Sequence, residues 1–222
     1  MEQFTIDTNG PVAVATMANG ENRLGTPALA AWTAMLDSVA GNPEVSSLVV
    51  IGKDRYWSTG LDLDEVGGMS ANDSMAFMRS VDLLLGRLLT APFITVAALN
   101  GHTYAAGALL ALAHDYRVMR ADKGFFCLPS VDVGIPFSPG MSALISSKLG
   151  QPTSHDLVVS GRRIGGLEAA SAGVVTRAVP AEQVLDVAVE YAHAFSGKDR
   201  EVLATVKRRM YPRAAGMLTV QA

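Results

Sequence analysis

The chain has 222 residues, 49% of them apolar and 18% charged, with a formal net charge of −3 and a pI near 5.8. That apolar share excludes a disordered chain, and without a basic surplus there is no electrostatic footprint of a nucleic-acid binder. A single cysteine, Cys127, excludes an intrachain disulfide and fits a reducing compartment; the start of the chain lacks the pattern of a secretory signal and no apolar run has the length of a membrane span, so a cytoplasmic protein with no membrane partner is expected.

In chain order, residues 3–7 and 12–17 are strand-like and flank Asn9, Gly10 and Pro11, a hairpin signal. A polar loop at 19–25 carries Arg23. Thr26 followed by Pro27 predicts an N-cap and a first-turn proline for a helix to about residue 40, with Leu29, Trp32, Leu36 and Val39 on one face. A strand at 47–51 and a polar turn lead into Trp57-Ser58-Thr59-Gly60-Leu61-Asp62-Leu63, where a glycine marks a strand-to-helix junction and Asp62 is placed to cap the helix after it. Past the surface loop at Gly67 and Gly68, residues 74–89 predict a helix closed by Pro92.

Residues 94–115 form the centre of the pattern. A branched apolar run at 94–99 reads as a buried strand, Asn100-Gly101 as a turn, and Ala105-Ala106-Gly107-Ala108 as a small-residue entrance to a buried helix. The first N–H groups of a helix have no partner inside it, and the dipole there favours negative charge, so this junction is a candidate oxyanion site. Small residues also allow plain close packing of helix on sheet, and this stretch alone leaves both readings open.

Strands are expected at 116–119 and 125–128, then a rigid Pro- and Gly-rich loop before a helix starting near Ser138, helices at 151–160 and 167–172, a strand-like exit at 174–178, an amphipathic helix at 181–195 and a last basic helix at 200–211. Strands alternating with helices, followed by helices alone, argue an α/β fold with a C-terminal helical region. Dinucleotide, Walker and nucleophile-elbow glycine motifs are absent. His102, His114, His155 and His193 lack ligand spacing, so no metal site is expected, and Cys127 reads as a core residue.

Two stretches combine into a resemblance. Trp57 to Leu63 (WSTGLDL) resembles the first signature of the crotonase family, the enoyl-CoA hydratases and isomerases, and residues 100–119 (NGHTYAAGALLALAHDYRVM) resemble its second. Residues 128–145 resemble the third block, and 161–175 resemble the segment after it. The whole looks most like Δ3,Δ2-enoyl-CoA isomerases of plant peroxisomal type and their bacterial kin. The resemblance implies a crotonase-like spiral of ββα units over residues 1–178 and a C-terminal helical trimerisation region over 179–222, assembled as a homotrimer or hexamer. It implies an acyl-CoA thioester of fatty-acid metabolism as partner and coenzyme A only as part of the substrate, with no further cofactor. By motif position, the backbone N–H groups of Leu61 and Ala106 are the oxyanion donors. Ser58, Thr59, Gly60, Asp62, Leu63, Gly107 and Leu109 line or shape the substrate site. Arg23 and Lys207 are candidate cations for the CoA phosphates, and solvated charge explains both equally well.

Two positions depart from the family. A hydratase glutamate is replaced by Leu109, which fits the isomerases. The isomerase glutamate is replaced by Ser130, a poor proton shuttle when unactivated. Three expectations result: an isomerase or hydratase-like enzyme with a substitute base, for which Asp132 and His102 are candidates; a catalytically weak acyl-CoA scaffold or carrier; or a thioester hydrolase using a water near Ser130. Asp132 shares a face with Ser130 only if that segment is extended.

Overall fold

The computed structural model describes residues 3–219. Strands β1 (Phe4–Asn9) and β2 (Val12–Met17) form the expected hairpin, with Asn9 paired to Val12 so that Gly10 and Pro11 make the turn. Helix α1 (Thr26–Gly41) leads to β3 (Ser47–Gly52), β4 (Tyr56–Ser58), α2 (Leu63–Gly67) and α3 (Ala71–Leu89). Next come β5 (Ile94–Leu99), β6 (His102–Tyr104) and α4 (Ala106–Ala113), then β7 (Tyr116–Arg120), β8 (Phe126–Cys127), α5 (Ser130–Val133) and α6 (Pro139–Lys148). The chain closes with α7 (Gln151–Ser160), α8 (Gly166–Ser171), β9 (Arg177–Val179), a 3-10 turn (Ala181–Gln183), α9 (Val184–Ala194), α10 (Arg200–Met210) and α11 (Pro212–Thr219).

The strands sort into a six-stranded sheet, β1-β2-β3-β5-β7-β9, parallel except for the hairpin, and a three-stranded parallel sheet, β4-β6-β8. Each of three successive turns of chain gives one strand to the large sheet, one to the small sheet and then a helix. This is the expected spiral of ββα units. Side chains alternate across the large sheet: Leu48, Val50, Ala97 and Leu99 enter the core shared with α1, α3 and α4, while Val49, Val96 and Ala98 face α9. A sheet buried on both faces explains why 94–99 reads as one unbroken apolar run. No helix of the described residues is long and apolar enough to cross a membrane.

Three local expectations need correction, and one unassigned stretch gains a strand. The N-cap of α1 is Gly25; Thr26 is the first helical residue, and its N–H is satisfied by the Glu65 carboxylate at 3.1 Å. Residues 102–104, to which the sequence pattern assigns no element, form a strand because the second sheet pairs them with β4 and β8. Residues 130–133 are helical, so the extended geometry that alternation requires is absent. The helices do not end at 211: α11 packs on α3 and α6, with Leu218 seated where Gly86 and Gly140 lack a Cβ.

At the end of α4, His114 is fully buried edge-on to Trp32 and Trp57. Its Nδ1 donates to the Leu110 carbonyl at 2.8 Å, and Nε2 has no partner among the described residues. Burial drives the imidazole down to about 3. Above about pH 6.5 the ring is neutral folded or unfolded; below it the unfolded chain takes up a proton that the fold refuses. Stability therefore falls by roughly 1.4 kcal/mol per pH unit from this group as the pH drops toward 3. Urea titrations at pH 7, 6 and 5 should show a steeper loss for the wild type than for His114→Gln; parallel losses would refute this account.

Candidate active site

The two predicted backbone donors are brought together by one glycine. Gly60 follows β4 with φ +96°, a left-handed value that favours glycine. A Cβ there would lie 3.0 Å from the Ala106 nitrogen, 3.0 Å from the Ala105 Cβ and 3.1 Å from the Tyr104 carbonyl oxygen. The chain on either side is pinned: Leu24 N–H donates to Gly60 O at 2.7 Å, and Asp62 N–H donates to Leu24 O at 2.9 Å. In this parallel bridge the intervening N–H, that of Leu61, faces the other way. Ala106 opens α4, so its N–H is one of the helix's orphans. Neither N–H has a hydrogen-bond partner among the described residues. Ala105, just before, holds φ +50° while carrying a Cβ, a strained conformation of a kind that accumulates at functional sites.

The residues around this pair divide by role. Ser58 is buried, donating to Asn22 O at 2.8 Å and accepting from Gly60 N–H at 3.2 Å, so it shapes the glycine turn. Gly107 is required because a Cβ would sit 2.5 Å from the Ser58 carbonyl. Asp62 caps α2 through the Glu65 N–H, as expected, and does not line the cavity. Arg23 is paired at the surface with Glu21 and Asp64 on the loop whose Leu24 bonds the Gly60 turn, and it too lies outside the cavity. Lys207 does not line the cavity: it is buried, donating to Ala91 O, Phe93 O and the Asp115 carboxylate, so its expected role toward CoA phosphates is replaced by a structural one.

Leu61 and Ala106 open on a cavity of about 320 Å³. Leu63, Met78, Leu109, Phe137 and Met141 give it an apolar wall. Thr59, Tyr104, Cys127, Ser130, Asp132 and Arg163 give it a polar one. Both Ser130 and Asp132 reach the cavity although their segment is helical. Ser130 Oγ donates to the Ile135 carbonyl at 2.6 Å and touches no imidazole or carboxylate. Asp132 lies against Gly161, where a Cβ would meet its Oδ2 at 2.5 Å. His102 lies outside the cavity but engages the Tyr104 hydroxyl at 2.9 Å through Nδ1. Burial, with the charges of Arg55 and Arg163, holds the His102 imidazole below its ordinary value. Tyr104, Cys127 and Arg163 are the residues of the polar wall that sequence reasoning missed. Alternation from His102 along a strand would have found Tyr104.

The ββα spiral on which this cavity sits has counterparts among known proteins. The family model for enoyl-CoA hydratase/isomerase matches residues 7–221. The chain belongs to this family. Among curated proteins it is similar to enoyl-CoA delta isomerase 3 of Arabidopsis thaliana, at 30% identity covering 98% of this chain and 96% of the relative, and to peroxisomal enoyl-CoA delta isomerase 2 of the same plant, at 31% identity covering 98% and 95%. Among solved structures it is similar to an apo enoyl-CoA isomerase from Mtb, with a TM-score of 0.90 and 25% identity over 98% of this chain and 94% of that one. Human mitochondrial Δ3-Δ2-enoyl-CoA isomerase shares the fold, with a TM-score of 0.90 at 24% identity over 97% and 86%.

Proposed function

We propose that the protein binds an acyl-CoA thioester with its carbonyl oxygen between the Leu61 and Ala106 N–H groups and stabilises the enolate formed beside it, isomerising 3-enoyl-CoA to 2-enoyl-CoA slowly. The observation that carries this reading is the pair of unbonded donors held together across Gly60 at the rim of an apolar cavity. Each such donor supports roughly a hundred- to a thousandfold in rate. Leu109, buried against the cavity, argues against a two-glutamate hydratase.

The usual glutamate is Ser130 here, whose hydroxyl proton is directed to a backbone carbonyl with no base beside it. Asp132 is the carboxylate among the cavity's lining residues and is the substitute base in this reading, an inefficient one because it leans on Gly161. The protein works as a homotrimer or hexamer in the cytoplasm, with coenzyme A entering as part of the substrate. The test is conversion of a 3-enoyl-CoA, followed by absorbance of the conjugated product. A slow wild-type rate that Asp132→Asn lowers by about a hundredfold is expected. An unchanged rate in Asp132→Asn would remove Asp132 from the mechanism, and a chain that neither binds nor converts the thioester would overturn the reading.

A further inference from the structure

The cavity's polar wall has one uncommitted side-chain donor. Thr59 Oγ1 donates to Glu21 at 3.2 Å, Cys127 Sγ to Gly161 O at 3.0 Å and Ser130 Oγ to Ile135 O at 2.6 Å, while the Tyr104 hydroxyl is engaged by His102. Arg163 remains. Its guanidinium makes no hydrogen bond or ion pair among the described residues and lies over the Tyr104 ring, 5.5 Å from its centre. Its neighbour Arg162 shows the contrast: that side chain is consumed by Asp156 and Glu168 outside the cavity. Asp132, on the same wall, makes no ion pair with Arg163. Arg163 is close enough for its charge to oppose the upward push that burial gives the Cys127 thiol and the Tyr104 phenol.

A planar guanidinium over an aromatic face at the wall of the cavity, its donors without a protein partner among the described residues, matches a carboxylate in geometry and charge. A hydrocarbon tail gives those donors nothing to bond. Resting on the reading that acyl-CoA occupies this cavity, we propose that the preferred acyl group carries a carboxylate at its far end and that Arg163 recognises it. The thioester oxygen sits on the backbone donors, the intervening methylenes lie along the apolar wall, and the terminal carboxylate meets Arg163. The relevant substrates are then thioesters of dicarboxylic acids rather than simple fatty acyl thioesters. Asp132 opposes the bound anion, so the preference depends on Arg163 being cationic and forked rather than on the wall's net charge.

Binding tests this without requiring turnover. Calorimetric Kd values would be compared for matched pairs of saturated thioesters, butyryl- with succinyl-CoA and hexanoyl- with adipoyl-CoA, alongside free CoA. For at least one pair the dicarboxylic member is expected to bind about ten- to a hundredfold more tightly. Arg163→Gln should abolish that preference while leaving free CoA and the monocarboxylic members unchanged, and Arg163→Lys should keep part of it. Arg163 is exposed, so neither variant removes core packing. Equal or weaker binding of both dicarboxylic members would overturn the inference alone. Equal weakening of free CoA by Arg163→Gln would assign the cation to a CoA phosphate and overturn it too. Failure of every thioester to bind would instead sink the acyl-CoA reading on which it stands.

Discussion

Ser130→Glu is expected to raise the conversion of 3-enoyl-CoA to 2-enoyl-CoA by about a hundred- to ten-thousandfold, the range that a positioned general base supplies. Ser130 is the first residue of α5 and lines the cavity onto which Leu61 and Ala106 open. In the wild type its Oγ donates to Ile135 O at 2.6 Å, which keeps a hydroxyl proton away from the substrate and offers no basic group in return. A carboxylate cannot donate to that carbonyl and is repelled by it, so the longer side chain turns into the cavity. The turn itself survives, because the Ile135 N–H still donates to Ser130 O at 3.3 Å, a backbone bond that any residue makes. Stopped-flow absorbance with both proteins at saturating substrate measures the gain in kcat. A large gain would show that the oxyanion half is intact and that only the base is missing. If the wild type is already as fast, a substitute base is fully effective, and Asp132→Asn in both backgrounds identifies whether it is Asp132.

The unbonded N–H groups of Leu61 and Ala106 were legible in the sequence, the helix start from its small residues and Leu61 from its place in the family-like motif after the glycine. What each flanking residue does there was less so. Ser58 and Gly107 hold the turn by contact with each other, across 49 positions of chain, which no local window contains. Ser130 was visible as a departure, but the helical turn at 130–133 was not, since Pro129 and Gly134 punctuate a loop and a one-turn helix alike. Arg162 and Arg163 are indistinguishable in sequence; the fold sends one to Asp156 and Glu168 and the other to the cavity. Lys207 was misread because it sits with Arg208 and Arg209 in a basic run, which by itself describes a solvated face. Its partner, Asp115, is 92 residues upstream.

That pair carries the second large effect. Asp115→Asn is expected to cost about 3 kcal/mol in unfolding free energy, the low end of what removing one partner of a buried ion pair costs, because Lys207 is buried and Asp115 only partly so. The Asp115 Oδ2 accepts from Lys207 Nζ at 2.7 Å, Thr95 N–H at 2.8 Å and Thr95 Oγ1 at 3.1 Å. Around it stand three cations. Lys207 is pushed down by burial and pulled back by Asp115; Arg117 is pushed down by burial to about 10; Lys148 is driven by burial to about 7, with Arg117 adding to the fall and Asp115 opposing it. Neutralising Asp115 leaves all three without their shared anion. Lys207→Met should cost less, about half as much, because Arg117 and Lys148 still face the carboxylate and both Thr95 bonds remain. Combining the two changes should then be milder than their sum, since neither partner is left alone. Urea unfolding at pH 7 with coincident circular dichroism and fluorescence transitions measures all three variants. The deficit of Asp115→Asn should shrink as the pH rises above 7, because Lys148 in the fold then sheds its proton and the cation surplus falls. Were Lys207 instead a ligand for CoA, Lys207→Met would weaken CoA binding and leave the urea midpoint where it was.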